Sequence, residues 1–223
     1  MLPLKDDIRT STRPIVVYAI LAANILVYLY EISLGTALND FVRQFGVTPY
    51  FLFHPSGIES YLTVFTSMFI HSISLMHIIG NMLFLWIFAD NIEDRMGHLR
   101  FLLFYFACGA AAALLQSAID PGSKIPMIGA SGAVSGVLGA YILLFPKARV
   151  LALIPLGFFL RISYLPSFIF LGIWFLYQFL FGVSSIGAQG GVAYFAHIGG
   201  FLAGLILALP FRIKRRNTDY KIY

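Results

Sequence analysis

Charged residues break this chain into long apolar runs. Uncharged stretches cover residues 15–30, 60–89, 101–119, 125–146 and 162–211, and several reach the roughly 20 residues that a helix needs to cross a bilayer. The last run is too long for one span. Its middle, Gly182-Val183-Ser184-Ser185-Ile186-Gly187-Ala188-Gln189-Gly190-Gly191, is rich in helix breakers and reads as a loop between two helices. The pattern therefore predicts six spans, at 14–34, 66–90, 99–118, 131–146, 163–181 and 194–211. Residues 150–160 form an apolar run of only 11 residues, interrupted by Pro155 and Gly157, which reads as an interfacial or re-entrant piece. The expected fold is all-α: a polytopic membrane bundle of six transmembrane helices with an interfacial first loop. It forms one domain over 1–223, with an N-terminal segment at 1–13 and a basic tail at 212–223.

Composition sharpens this picture. Of 223 residues, 59% are hydrophobic and 11% charged, against about a quarter charged in soluble domains, which excludes a water-soluble fold. With the N-terminus on the cytoplasmic side, thirteen of the 15 Lys and Arg residues fall on that side and only Arg43 and Lys124 on the other. By the positive-inside rule both termini are cytoplasmic, and the cell (inner) membrane is the expected location. Topology thus accounts for the net charge of +5 without nucleic acid as a partner, and the basic cluster at 212–216 reads as an anchor on the membrane surface. The single cysteine, Cys108, excludes a disulfide within the chain and reads as a small packing residue. The first apolar run follows 14 residues and lacks a convincing small-residue cleavage site, so no cleavable signal peptide is expected.

Polar residues inside the spans are costly, which makes each a functional candidate. The fourth span opens Gly129-Ala130-Ser131-Gly132-Ala133-Val134-Ser135-Gly136. Small residues four apart let helices pack closely; equally, G-x-S-x-G exposes a serine at a tight turn entering a helix, where backbone N–H groups can hold an oxyanion. These five residues do not decide between the two. In the last span His197 is followed by Gly200 and Gly204, a G-x-x-x-G face for close contact with another small-residue helix. In the second span His77 and Asn81 are four apart and share a face; structural hydrogen bonding between helices is their plainer role.

Depth links the three. At 1.5 Å per residue, Ser131 lies about 24 Å from Lys147 along its span, His197 about 22 Å from Arg212 and His77 about 20 Å from Asp90. All three fall at one level, several ångströms below the outer surface of a core about 30 Å thick. Residues 126–130 must then descend to Ser131 as irregular backbone, which is tolerated only when buried in protein or lining a water-filled cavity.

In this arrangement the chain resembles the rhomboid family of intramembrane serine proteases, from about Thr66 to Gly204. Gly129-Ala130-Ser131-Gly132 resembles the family's nucleophile motif, and Ala196-His197-Ile198-Gly199-Gly200 with Gly204 its base-bearing span. His77 and Asn81 match residues lining the family's oxyanion site, and Glu93-Asp94-Arg95-Met96-Gly97 its E-x-R-x-G turn. Two departures stand out. Leu62-Thr63-Val64 replace the Trp-Arg that commonly precedes Phe-Thr, and Ser135 stands where an aromatic ring often supports the histidine, so His197 is held less firmly or by another group.

The resemblance implies a serine endopeptidase that cuts transmembrane substrates after a small residue, near the outer face, without ATP, cofactor or metal. Ser131 and His197 are the expected catalytic pair. His77, Asn81 and the N–H groups of Ala130 and Ser131 are the expected oxyanion donors, with Gly129, Gly132, Gly200 and Gly204 in support. No acidic residue lies in the spans near this depth, so a dyad is expected rather than a triad. A metal enzyme or transporter built on His71, His77 and His197 is the first rival, disfavoured by the lack of H-E-x-x-H or a carboxylate nearby. The other is a non-catalytic rhomboid-like protein that binds transmembrane helices, disfavoured by the presence of both Ser131 and His197.

Overall fold

The computed structural model describes residues 1–156, 159–186 and 191–212. In chain order, strand β1 (Leu2–Asp6) precedes helix α1 (Ile15–Ser33) and three short helices, α2 (Leu38–Phe45), α3 (Pro49–Phe53) and α4 (Glu59–Thr66). Helices α5 (Leu75–Met96), α6 (His98–Ile119) and α7 (Ser131–Leu144) follow, then strands β2 (Arg149–Leu156) and β3 (Phe159–Pro166), and finally α8 (Ser167–Ser184) and α9 (Tyr194–Ala208). Five helices, α1, α5, α6, α8 and α9 extended by a 3-10 turn to Phe211, are long and apolar enough to cross a membrane. The chain is thus an integral membrane protein, a polytopic helical bundle. Its exposed helix faces carry Leu26, Leu103, Leu176 and Ile206, an outward apolar surface that suits lipid as solvent.

Helix α7 differs from the others: it has only 14 residues, and Gly132 to Tyr141 are all buried. It packs on α9 through backbone. A Cβ on Gly200 would lie 1.9 Å from the Gly132 carbonyl oxygen, and one on Gly204 would lie 1.9 Å from that of Gly136. The small-residue faces of the fourth and last spans therefore meet, at a separation that no side chain permits.

Three expectations need correction. The second span begins at Leu75 rather than at 66, because residues 67–74 form a turn in which Ser72 adopts φ 55°. The buried Glu31 carboxylate of α1 holds that turn, accepting N–H bonds from His71 (2.9 Å) and Ser72 (2.8 Å). The same helix runs on past Asp90 to Met96. Its end is engaged by the N-terminal region: Glu93 caps α1 at Val16 and Val17 N–H (2.9 and 2.8 Å), and Asp94 accepts from Ser11 and Thr12. Gly97, at φ 83°, then turns the chain directly into α6, so the Glu93–Gly97 motif is a corner that locks three elements.

The short run at 150–160 is part of a β-hairpin, and the N-terminal segment joins it as a third antiparallel strand, in the order β1-β2-β3. A strand rises more than twice as far per residue as a helix, so a run too short for a helical span still makes a full hairpin arm. Under this sheet, Asp6 accepts hydrogen bonds from Tyr141 on α7 and from Asn91 on α5 (2.8 Å). Of the expected basic tail, residues 213–223 lie outside the described residues.

Candidate active site

Residues 123–130 carry the chain down to the start of α7. Val47 and Met127 pair through reciprocal backbone bonds of 3.0 and 2.8 Å, and the Gly129 N–H donates to the Ser67 carbonyl at 2.8 Å. This irregular backbone is thus satisfied by protein, as its depth requires. Gly129 adopts φ 119°, where a side chain is strained, and a Cβ there would come within 2.6 Å of His77 Nε2. Glycine at this position lets the turn and the imidazole occupy the same corner. Ser131 is the first residue of α7, and Ala130 provides no side-chain cap. The N–H groups of a first helical turn lack acceptors within their own helix and carry its positive dipole end.

From α9, His197 places Nε2 at 2.8 Å from Ser131 Oγ. The start of α9 is itself tied down, since Gln116 of α6 accepts the Ala196 N–H at 3.2 Å. The pair lies in a cavity of about 650 Å³, also lined by His77, Gln116, Asp120 and Ile125. Beside Ser131 a small recess of about 40 Å³ is walled by Met68, Ala112, Gly129 and Ala196 among others. The geometry lets Oγ act as a nucleophile with its proton passing to Nε2.

The structure brings Ser131, His197 and His77 together, while Ala130 is fully buried. Asn81 sits one turn beyond His77 and is not among the described residues lining the cavity. Its Nδ2 donates to the His77 carbonyl at 3.0 Å, which leaves one amide N–H uncommitted to that bond. Gly132, Gly200 and Gly204 form the close α7/α9 contact described above. His71 is wholly buried, its ring 5.0 Å from that of His77. Among the described residues, no three His, Cys, Asp or Glu side chains gather to hold a metal ion.

Sequence reasoning missed Gln178. This residue of α8 is buried, and its Oε1 lies 2.8 Å from His197 Nδ1. Its signal in the sequence is a neutral polar residue among the aromatic side chains of that span, whose amide oxygen can accept from an imidazole without any charge. Those aromatics also divide. Phe168, Tyr177, Phe179 and Phe181 are exposed, Phe170 is buried, and Trp174 and Phe175 face Phe201 of α9, with Trp174 also 6.1 Å from the His197 ring. On the first loop, Phe51 and Phe53 project outward, as an interfacial belt would. Where the Trp-Arg pair is absent, the Thr63 hydroxyl donates to the Ser60 carbonyl at 2.7 Å.

Comparison with known proteins agrees with the sequence resemblance. The family model of the rhomboid domain matches residues 59–214. Rhomboid protease GluP of Bacillus subtilis is 30% identical over 199 residues, covering 89% of this chain and 36% of GluP. Rhomboid protein 1, mitochondrial, of Saccharomyces cerevisiae is 27% identical, covering 85% of this chain and 51% of the relative. For the human presenilin-associated rhomboid-like protein, mitochondrial, the identity is 29%, over 91% of this chain and 48% of the relative. The chain thus spans between about a third and a half of the length of these relatives.

Proposed function

The chain belongs to the rhomboid family, and from that premise we propose that it is an intramembrane serine endopeptidase acting on peptide bonds in or near transmembrane segments of other membrane proteins. The observation that carries the reading is the 2.8 Å contact between Ser131 Oγ and His197 Nε2 within a cavity. In the first step Oγ forms a bond to the scissile carbonyl carbon while Nε2 takes the hydroxyl proton. The carbonyl oxygen, now negative, is held by the N–H groups of Ser131 and Ala130 with His77 and Asn81 as side-chain donors. Collapse breaks the C–N bond, and the imidazolium returns its proton to the leaving amine. Water from the cavity then bonds to the acyl carbon while His197 Nε2 takes its proton; the C–Oγ bond breaks, Nε2 returns the proton to Oγ, and the carboxylic acid product leaves. No metal or cofactor enters the scheme.

The recess beside Ser131, about 40 Å³ against about 650 Å³ for the main cavity, is walled by small residues such as Ala112, Gly132 and Ala196, which supports a small side chain next to the scissile bond. Substrates enter from the bilayer, and α8 with its neighbouring loops is the gate. The bias of Lys and Arg supports cytoplasmic termini in a cell membrane, with the cavity opening to the opposite side.

A fluorophosphonate tests the chemistry. Oγ bonds to phosphorus, fluoride leaves and His197 accepts the proton, so Ser131 becomes labelled. Labelling should vanish in Ser131→Ala, fall greatly in His197→Ala and be indifferent to chelators. Cleavage of a single-span model substrate by Ser131→Ala, or activity abolished by a chelator and restored by zinc, would reject the serine mechanism. Binding of that substrate without any cleavage by the wild type would favour a non-catalytic helix-binding protein.

A further inference from the structure

Both ring nitrogens of His197 are engaged: Nε2 at 2.8 Å from Ser131 Oγ and Nδ1 at 2.8 Å from Gln178 Oε1. A neutral imidazole carries one N–H and one lone pair. If Nε2 is to receive the serine proton, Nδ1 must hold the other proton, and the acceptor within reach of that N–H is the buried amide oxygen of Gln178. We propose that Gln178 is the positioning residue of the site, its amide oxygen holding His197 in the Nδ1–H form with Nε2 aimed at Ser131. The inference rests on the serine protease reading above and adds a third, uncharged member to the pair.

Three further observations support the role. Gln178 is 7% exposed, on a helix of otherwise mostly apolar side chains, where an amide without a partner is costly. Ser135, one turn into α7, directs its hydroxyl back to the Ser131 carbonyl at 2.6 Å and so gives the imidazole no support. Trp174, one turn before Gln178 on the same face of α8, packs its ring near that of His197 at 6.1 Å. One helix therefore supplies both a wall for the imidazole and an acceptor for its N–H. An amide oxygen stabilises the imidazolium less than a carboxylate does, because it offers a dipole rather than a charge. Among the described residues, the other titratable groups facing the cavity are His77 of α5 and Asp120 after α6, and the Tyr194 ring of α9 lies 6.4 Å from that of His197.

The experiment follows fluorophosphonate labelling across a range of pH for the detergent-purified full chain, comparing wild type with Gln178→Met and Gln178→Glu, and Ser131→Ala as the blank. Methionine keeps the length and removes the acceptor; labelling should slow by about 10- to 100-fold, the scale seen when the partner that orients a metal-bound histidine is removed. With a cleavable substrate the loss should lie in kcat and leave KM unchanged. Glutamate keeps an acceptor and adds a charge that favours the imidazolium. It should restore labelling at the alkaline end and move the acid limb of the profile up by about one pH unit or more. The proposal is overturned if Gln178→Met labels at the wild-type rate with an unmoved profile. It is equally overturned if both variants lose labelling in parallel with their melting temperature, which marks a purely structural glutamine. If Gln178→Met does not fold, the profile of Gln178→Glu decides, an unmoved acid limb overturning the proposal. Absence of Ser131-dependent labelling in the wild type would instead reject the protease reading itself.

Discussion

Replacing Gly200 with alanine should separate the two halves of the catalytic pair while leaving every polar group of the site in place. The new Cβ would start 1.9 Å from the Gly132 carbonyl oxygen, whereas carbon and carbonyl oxygen settle at about 3.3 Å even in their closest favourable contacts. Relief by straight separation requires α7 and α9 to part by about 1.4 Å, the difference between those two distances. Gly132 adjoins Ser131, and Gly200 lies one turn from His197, so the strain is delivered at the reactive pair. The contact of 2.8 Å would open to about 4 Å, beyond hydrogen-bond reach. A displacement of this size costs on the order of 10²-fold in rate, and overpacking costs about 1–3 kcal/mol in stability. Gly172→Ala on α8 is the control, since its Cβ meets nothing within 4 Å. Fluorophosphonate labelling of Ser131 should be slowed about 10²-fold in Gly200→Ala and be unchanged in Gly172→Ala. Wild-type labelling by a folded Gly200→Ala would refute the claim that the backbone contact of these helices sets the catalytic distance.

Three further outcomes are expected. Burial raises the Asp6 carboxyl from 3.8 to about 7, and the nearby charges of Asp90 and Asp7 act in the same direction, against the hydrogen bond from Tyr141. The folded state therefore binds this proton more tightly, so its stabilising contribution is full below about 3.8 and is lost as pH rises to about 7; Asp6→Asn should flatten the dependence of the melting temperature over that window, and an unchanged slope would reject the assignment. On α8, Phe175→Ala removes only the stacking on Phe201, whereas Trp174→Ala also removes the wall beside His197; the first should raise substrate cleavage with labelling unchanged, the second should slow labelling, and equal effects would count against separate roles in gating and support. Asn81→Ala should lower cleavage by at most about 10²- to 10³-fold with the fold intact, because His77 and backbone donors remain; complete loss together with unfolding would assign Asn81 to the hydrogen bonding of its own helix.

The apolar runs and the scarcity of charge were enough to determine that the chain lives in a membrane as a helical bundle, because the bilayer imposes span length and excludes unpaired charge on any sequence that enters it. Equal spacing from the charged span ends put Ser131, His197 and His77 at one depth, and the structure has all three in one cavity. Depth along a helix is fixed by its rise per residue and can be counted in the sequence. Rotation about the helix axis and the partner across the interface cannot. The sequence therefore held Gly200 and Gly204 as a packing face without revealing that this face abuts the carbonyls of Gly132 and Gly136 at a distance that excludes a Cβ. The hairpin at 149–166 was hidden because its apolar arm reads as a truncated helix until β1, more than 140 residues earlier, pairs with it. Glu31 was visible only as the end of an apolar run, yet it fixes the turn bearing His71 and Ser72. Gln178 was invisible as a partner for the same reason: a hydrogen bond between residues 19 positions apart on two helices depends on how those helices are rotated and packed, which is decided by contacts across the whole bundle.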